Sequence, residues 1–197
     1  FKEAIKRADN LANQINGFRT NQFSNKLNID AHYETTGKEI VDKVPNIEAY
    51  VSGIGTGGTL IGVAKRIKEV YKNASIIAME PIKMPLLSGG KVVGNHKIEG
   101  IGDDFIPELV DKNLIDEVIT IDDNEAINMA RRLSKELGLG VGISSGANFL
   151  ASVLSLKDNV VTIFADDSKK YLTTDLTVEQ NLNFISDQIK LLNIEVL

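Results

Sequence analysis

No cysteine occurs in the 197 residues, which excludes a disulfide framework and a thiolate metal site. Histidine is nearly as scarce. His32 and His96 are the two present, far apart and without a partner at helical spacing. Zinc sites need clustered nitrogen or sulfur ligands, so no metal is expected. Long hydrophobic runs are missing too: none approaches the ~20 apolar residues that span a bilayer, and no membrane partner is expected. An excess of positive charge is also lacking. Lys and Arg number 22 against 27 Asp and Glu, and the net charge of −5 argues against a nucleic-acid footprint. The chain opens on Phe1, with no signal-peptide pattern, inside what reads as a helix. It is expected to be a piece of a longer, cytoplasmic polypeptide.

What is present is a strand–helix alternation. Apolar residues recur at helical spacing from Phe1 to Ile15 and stop at Asn16-Gly17. A short strand is expected near Phe18–Phe23, and the polar stretch 24–30 is a candidate domain boundary. Helical pieces are expected over 31–43, then strand 48–52, helix 57–70, strand 75–79 and a Gly/Pro-punctuated stretch over 81–107. Strand 116–121, helix 123–137, a glycine segment 138–146, helix 147–156 and strand 159–164 follow. This order predicts an α/β protein with a mostly parallel sheet covered on both faces. Val178, Leu182, Ile185, Ile189 and Leu192 fall on one stripe of a C-terminal amphipathic helix, which would dock on the domain or on a second copy.

The densest signal is GIGTGGTLIG at residues 53–62, between the apolar run Ala49-Tyr50-Val51 and a helical pattern. Glycine in such quantity is entropically unfavourable and implies positive φ or close backbone approach. A strand feeding a glycine turn into a helix presents backbone N–H groups to a phosphate. Two phosphates compete. Gly53-x-Gly55-x-x-Gly58 matches the dinucleotide fingerprint, and Glu80 lies 22 residues past Gly58, where a ribose carboxylate would stand. That reading predicts a NAD-binding domain. The other reading is a compact terminal phosphate held by the five consecutive N–H groups of residues 55–59, the helix dipole and the hydroxyls of Thr56 and Thr59. No Lys or Arg sits inside the loop, so dipoles must carry the binding.

The core of that turn, Gly55-Thr56-Gly57-Gly58-Thr59, resembles the phosphate loop of the cysteine synthase / cystathionine β-synthase family of pyridoxal-phosphate enzymes, fold type II. NQFSN (21–25) and HYETTGKEI (32–40) resemble the family's stretches before the loop. LLSGG (86–90), HKIEGIG (96–102), FIPELVD (105–111), VGISSGAN (141–148) and YLTTDL (171–176) follow in the family's order, so the resemblance covers about residues 1–177. On it Glu80, in Met79-Glu80-Pro81, reads as part of the family's strand-end turn rather than as a ribose ligand. It implies a remnant of a small domain at 1–25, a large phosphate-binding domain at 26–177 and a tail at 178–197. It implies pyridoxal 5'-phosphate as cofactor and a small amino-acid substrate: O-acetylserine and sulfide giving cysteine and acetate by β-elimination and replacement. A homodimer and a serine acetyltransferase partner are family expectations. A cystathionine β-synthase-like enzyme, or a fragment that only binds partners, are the alternatives.

On this resemblance Gln22 and Gly100 are candidates for the substrate's surroundings, with Gly102 on the same site-lining segment, while Ser144 and Ser145 read as caps of a helix start. Three departures stand out. The family's Ser-x-Lys-Asp-Arg-like motif, which holds the Schiff-base lysine, and its Thr-Ser-Gly-Asn-Thr-like substrate loop do not occur in these residues. No catalytic residue is therefore assigned in this chain, which is expected to be inactive alone. Where the family commonly has Pro-Asp-Ser-Gly, with serine meeting the pyridine nitrogen, this chain reads Ala165-Asp166-Asp167-Ser168. Asp167 takes the serine's position, Ser168 being the choice if the alignment slips by one. Asp103-Asp104 replace a usually small pair beside the site-lining segment.

Overall fold

The computed structural model describes residues 2–178 and 183–191. Four strands, β1 (Ala49–Gly53), β2 (Ser75–Pro81), β3 (Glu117–Ile121) and β4 (Val160–Thr162), form one parallel sheet in the order β3-β2-β1-β4. Helix α4 (Gly58–Val70) connects β1 to β2, and α5 (Asp123–Leu137) with α6 (Ile143–Leu154) connect β3 to β4. Before the sheet come α1 (Lys2–Ile15), α2 (Leu27–His32) and α3 (Lys38–Lys43).

The strands are apolar on both faces because helices cover both. Ala49 and Val51 of β1, with Ile77 and Met79 of β2, pack against Ala126, Ala130, Leu133, Ala147 and Leu150 of α5 and α6. The alternate residues Tyr50, Ile76 and Ala78 face Leu60, Val63 and Ile67 of α4 and Ile40 of α3. The one-residue alternation thus divides one apolar run between two cores.

Chain order sets the location of the site. The chain runs outward from β1 through β2 to β3, then returns to place β4 on the other side of β1. The carboxyl ends of β1 and β4 therefore flank the point where strand order reverses, where open α/β sheets leave a crevice.

Several expectations need correction. No strand forms over 18–23, where Asn21 takes a positive φ of 49° and Ser24 and Asn25 N–H bond back to its carbonyl. The polar stretch 24–30 is not simply a loop, since α2 begins at Leu27. Helix α6 starts at Ile143, four residues earlier than expected, with Gly142 as its N-cap. Ser144 and Ser145 are consequently buried in the first turn and cap nothing. Residues 183–191 hold a single 3-10 turn, Ile185–Gln188, flanked by extended Phe184 and Ile189, rather than part of a long helix. That segment docks on the domain as expected, with Ile189 and Leu191 packed against the core, and polar groups add to the contact with α5. Glu125 receives the N–H groups of Ile185 and Ser186, Asn128 donates to Ser186 Oγ, and Ile185 itself is exposed. Leu182 and Leu192 lie outside the described residues.

Candidate functional site

Strand β1 ends at Gly53 and the glycine turn runs directly into α4. Gly57 is the helix N-cap, with φ 90°, a left-handed conformation that side chains other than glycine seldom adopt. Gly55 is required for a different reason: a Cβ there would stand 2.5 Å from the carbonyl oxygen of Gly100. The site-lining segment and the phosphate loop therefore touch backbone to backbone. Gly102 N–H completes the junction by donating to Ile54 O at 3.0 Å.

The hydroxyls of the loop are oriented by residues that sequence reasoning had passed over. Asn28 Nδ2 donates to Thr56 Oγ1 at 2.9 Å and also to Gln22 O at 2.9 Å. Gly58 N–H reaches the same Thr56 oxygen at 3.3 Å. Both bonds enter that oxygen, so the hydroxyl hydrogen is what it has left to give to an anion. Thr59 Oγ1 lies 3.1 Å from His32 Nε2, and His32 Nδ1 lies 3.1 Å from Thr36 Oγ1. Burial lowers the pKa of His32 and favours its neutral form. The five N–H groups are not all equivalent, since that of Gly58 already bonds within the loop. A phosphate fits what remains: a helix N-terminus, the unbonded N–H groups of the turn and the hydroxyls of Thr56 and Thr59 beside them.

The other candidates are distributed around this loop. Gln22 has an exposed side chain, and its backbone is coupled to Thr56 through Asn28. Gly100 lies against Gly55 with φ 86°. Asp167 follows β4, across the crevice. Its carboxylate accepts from Lys169 N–H at 2.8 Å, which holds its pKa below the ordinary carboxylate value. Ser168 N–H is bonded to Gly140 O at 2.8 Å. Asp166 turns inward to accept from Tyr171 Oη at 2.8 Å. Asn148 of α6 ties the two sides of the crevice together: its Oδ1 accepts from Gly53 N–H and its Nδ2 donates to Ile163 O, both at 2.8 Å. The motif VGISSGAN contained this residue, but nothing in its spacing revealed that it bridges two strands.

Glu80 settles the competition between the two phosphates. Its carboxylate is buried and accepts from Leu87 N–H at 2.8 Å, Ser88 N–H at 3.0 Å and Ser88 Oγ at 2.6 Å. The carboxylate is turned into the protein and engaged by the turn at residues 87 and 88 rather than presented to a ribose. The glutamate organises the LLSGG turn, which agrees with the pyridoxal-phosphate reading and not with the dinucleotide alternative.

A parallel α/β sheet with a strand–glycine turn–helix phosphate loop at its reversal point defines a phosphate-group-binding protein. The chain belongs to the pyridoxal-phosphate dependent enzyme family, whose pattern matches residues 1–166. Among its relatives is cysteine synthase B of Campylobacter jejuni, 45% identical over a 182-position alignment that covers 89% of this chain and 60% of that protein. The hydrogen sulfide-producing enzyme of Fusobacterium nucleatum superposes with a TM-score of 0.91 at 44% identity, covering 98% of this chain and 61% of that one. An O-acetylserine dependent cystathionine β-synthase of Helicobacter pylori superposes with a TM-score of 0.81 at 39% identity, over 89% and 59% of the two chains. The chain thus spans about 60% of the length of the curated relative it matches. Its fold is that of the fold type II pyridoxal-phosphate enzymes. No helix among the described residues is long and apolar enough to cross a membrane.

Proposed function

We propose that this chain is the cofactor-phosphate part of a cytoplasmic, homodimeric cysteine synthase that converts O-acetylserine and sulfide to cysteine and acetate. The observation that carries the reading is the loop at residues 55–59, where backbone dipoles and two oriented hydroxyls replace the cationic side chains a phosphate would otherwise need. When bound, pyridoxal phosphate would supply the electron sink that makes substitution at an amino acid's β-carbon feasible. Residues Gly55, Thr56, Gly57, Gly58 and Thr59 would hold the phosphate, and Asp167 would face the pyridine nitrogen and keep a proton there. Gln22 and Gly100 would border the substrate. Residues 1–25 would belong to a smaller domain, in keeping with the exposed Leu11 and Ile15 of α1. Serine acetyltransferase is the partner the reading names.

The test is the visible absorption of the longest natural polypeptide containing this chain, titrated with pyridoxal phosphate and then O-acetylserine. A visible band that shifts when O-acetylserine is added is the expected result. Absence of any band would leave a partner-binding module.

Asp103 favours a second reading, release of sulfide from a thiol amino acid such as cysteine, the product named for the Fusobacterium relative. Its carboxyl borders a small cavity with Gly55 and Gly102, and burial raises its pKa above the ordinary 3.8. A carboxylate of raised pKa is the stronger base toward a proton of the reacting molecule. The base form exists only above that pKa, so sulfide release should fall as pH falls through it. Asp103→Asn should remove this acidic limb and slow release by at least about tenfold, with cofactor binding unchanged. An unaltered pH profile in the variant would remove Asp103 from the reaction.

A further inference from the structure

Two threonines of the phosphate loop are supported by different groups, and the difference has a chemical consequence. Asn28 can only donate to Thr56, so that hydroxyl always has its hydrogen to give. The support of Thr59 is an imidazole, which in its neutral form donates from one nitrogen and accepts at the other. If Nε2 accepted, the Thr59 hydrogen would be consumed and an oxygen lone pair would face the anion. If Nε2 carries the hydrogen, Thr59 is free to donate.

At the other nitrogen the local fold places a hydroxyl, a group that supports the second arrangement when it donates and the first when it accepts. After α2 the helix widens into a π turn at Tyr33–Gly37, a departure from α geometry frequent at functional positions. Within it Thr36 Oγ1 comes to 3.1 Å from His32 Nδ1. A hydroxyl can donate to an unprotonated Nδ1, and Thr35 is not a competitor because its own hydroxyl is committed to Ala31 O at 2.7 Å. The backbone that carries the imidazole is held close beside α4. Across α4, Gly62 lets α2 approach so closely that a Cβ there would stand 2.8 Å from His32 Cβ and 2.5 Å from Ile29 O.

We propose that His32 is a positioning residue for the cofactor phosphate: Thr36 Oγ1–H donates to Nδ1, Nε2–H donates to Thr59 Oγ1, and the Thr59 hydrogen is thereby aimed at the phosphate. The chain of three hydrogen bonds makes a residue that never touches the phosphate responsible for the polarity of one that does. The inference rests on the phosphate-loop reading above and deepens it.

The experiment uses the longest natural polypeptide containing this chain, loaded with pyridoxal phosphate and 15N-labelled at histidine. Ring nitrogen shifts should report the Nε2–H tautomer for His32. His32→Phe should weaken pyridoxal phosphate binding about tenfold, the scale of one hydrogen bond to a charged group. His32→Gln, whose amide nitrogen reaches the position of Nε2, should restore binding to within about twofold of the parent. Thr36→Val, a shape-conserving change, should raise the Nδ1–H population and weaken binding about threefold, and keeps the idea testable if the phenylalanine variant does not fold. An Nδ1–H tautomer in the loaded protein overturns the proposal. So does a parent that binds the cofactor while His32→Phe or Thr36→Val binds it equally well. A parent that binds no pyridoxal phosphate overturns the phosphate-loop reading itself, and this inference with it.

Discussion

Gly55→Ala is expected to weaken retention of pyridoxal phosphate by up to about a hundredfold in the natural polypeptide. The added methyl would meet the Gly100 carbonyl at 2.5 Å, well inside ordinary contact, and the obstacle is backbone rather than a side chain that could turn away. Relief requires either the phosphate loop or the site-lining segment to move. Overpacking of this kind costs about 1–3 kcal/mol, and about 2.7 kcal/mol is a hundredfold in affinity. The loop's N–H groups act only while they converge on one point, so the shift is felt in binding before it is felt in unfolding. Cofactor dissociation constants, measured beside thermal unfolding of the cofactor-free protein, check this. Unchanged affinity would mean that the contact between residues 55 and 100 is not part of the phosphate cradle.

Asn148→Ala is expected to destabilise the fold by about 2–4 kcal/mol, the scale of two buried hydrogen bonds whose partners are left unsatisfied. The side chain is 4% exposed and serves Gly53 N–H and Ile163 O at 2.8 Å each. Those groups end β1 and prolong β4, beyond the last paired residues Val51 and Thr162. Here the side chain replaces the ladder where the strands diverge to open the crevice. Urea unfolding of parent and variant gives the difference directly. A loss below about 0.5 kcal/mol would show that water substitutes freely for the amide.

Much of the architecture could be read locally. Helix α5 was legible from end to end, because Asp122 caps it by accepting Asn124 N–H and Gly138 closes it at φ 70°. Both are signals of residue type at fixed positions. The strands were legible as apolar runs, and the phosphate loop as glycine density between a strand and a helix. Where reading failed, a nonlocal partner had intervened. Ser144 and Ser145 suited a helix cap, yet α6 starts earlier and draws both into its buried first turn. Residues 18–23 had strand-like composition, but no strand among the described residues pairs with them. Glu80 stood at the spacing of a ribose ligand, yet the resemblance read it as a strand-end turn residue, and its bonds to residues 87 and 88 agree.

The sequence by itself determined the fold class and the family, because each depends on periodicity or on contiguous motif residues, and it singled out residues 55–59 as the candidate phosphate loop. Only the tertiary structure decided what surrounds that loop. Asn28 and His32 reach Thr56 and Thr59 across separations of 28 and 27 residues, and Asn148 reaches Gly53 across 95. A hydrogen bond requires its donor and acceptor to meet within about 3 Å, and spacing along a chain carries no information about which distant segments meet. In this protein the order of four strands and one close helix crossing at Gly62 supply it.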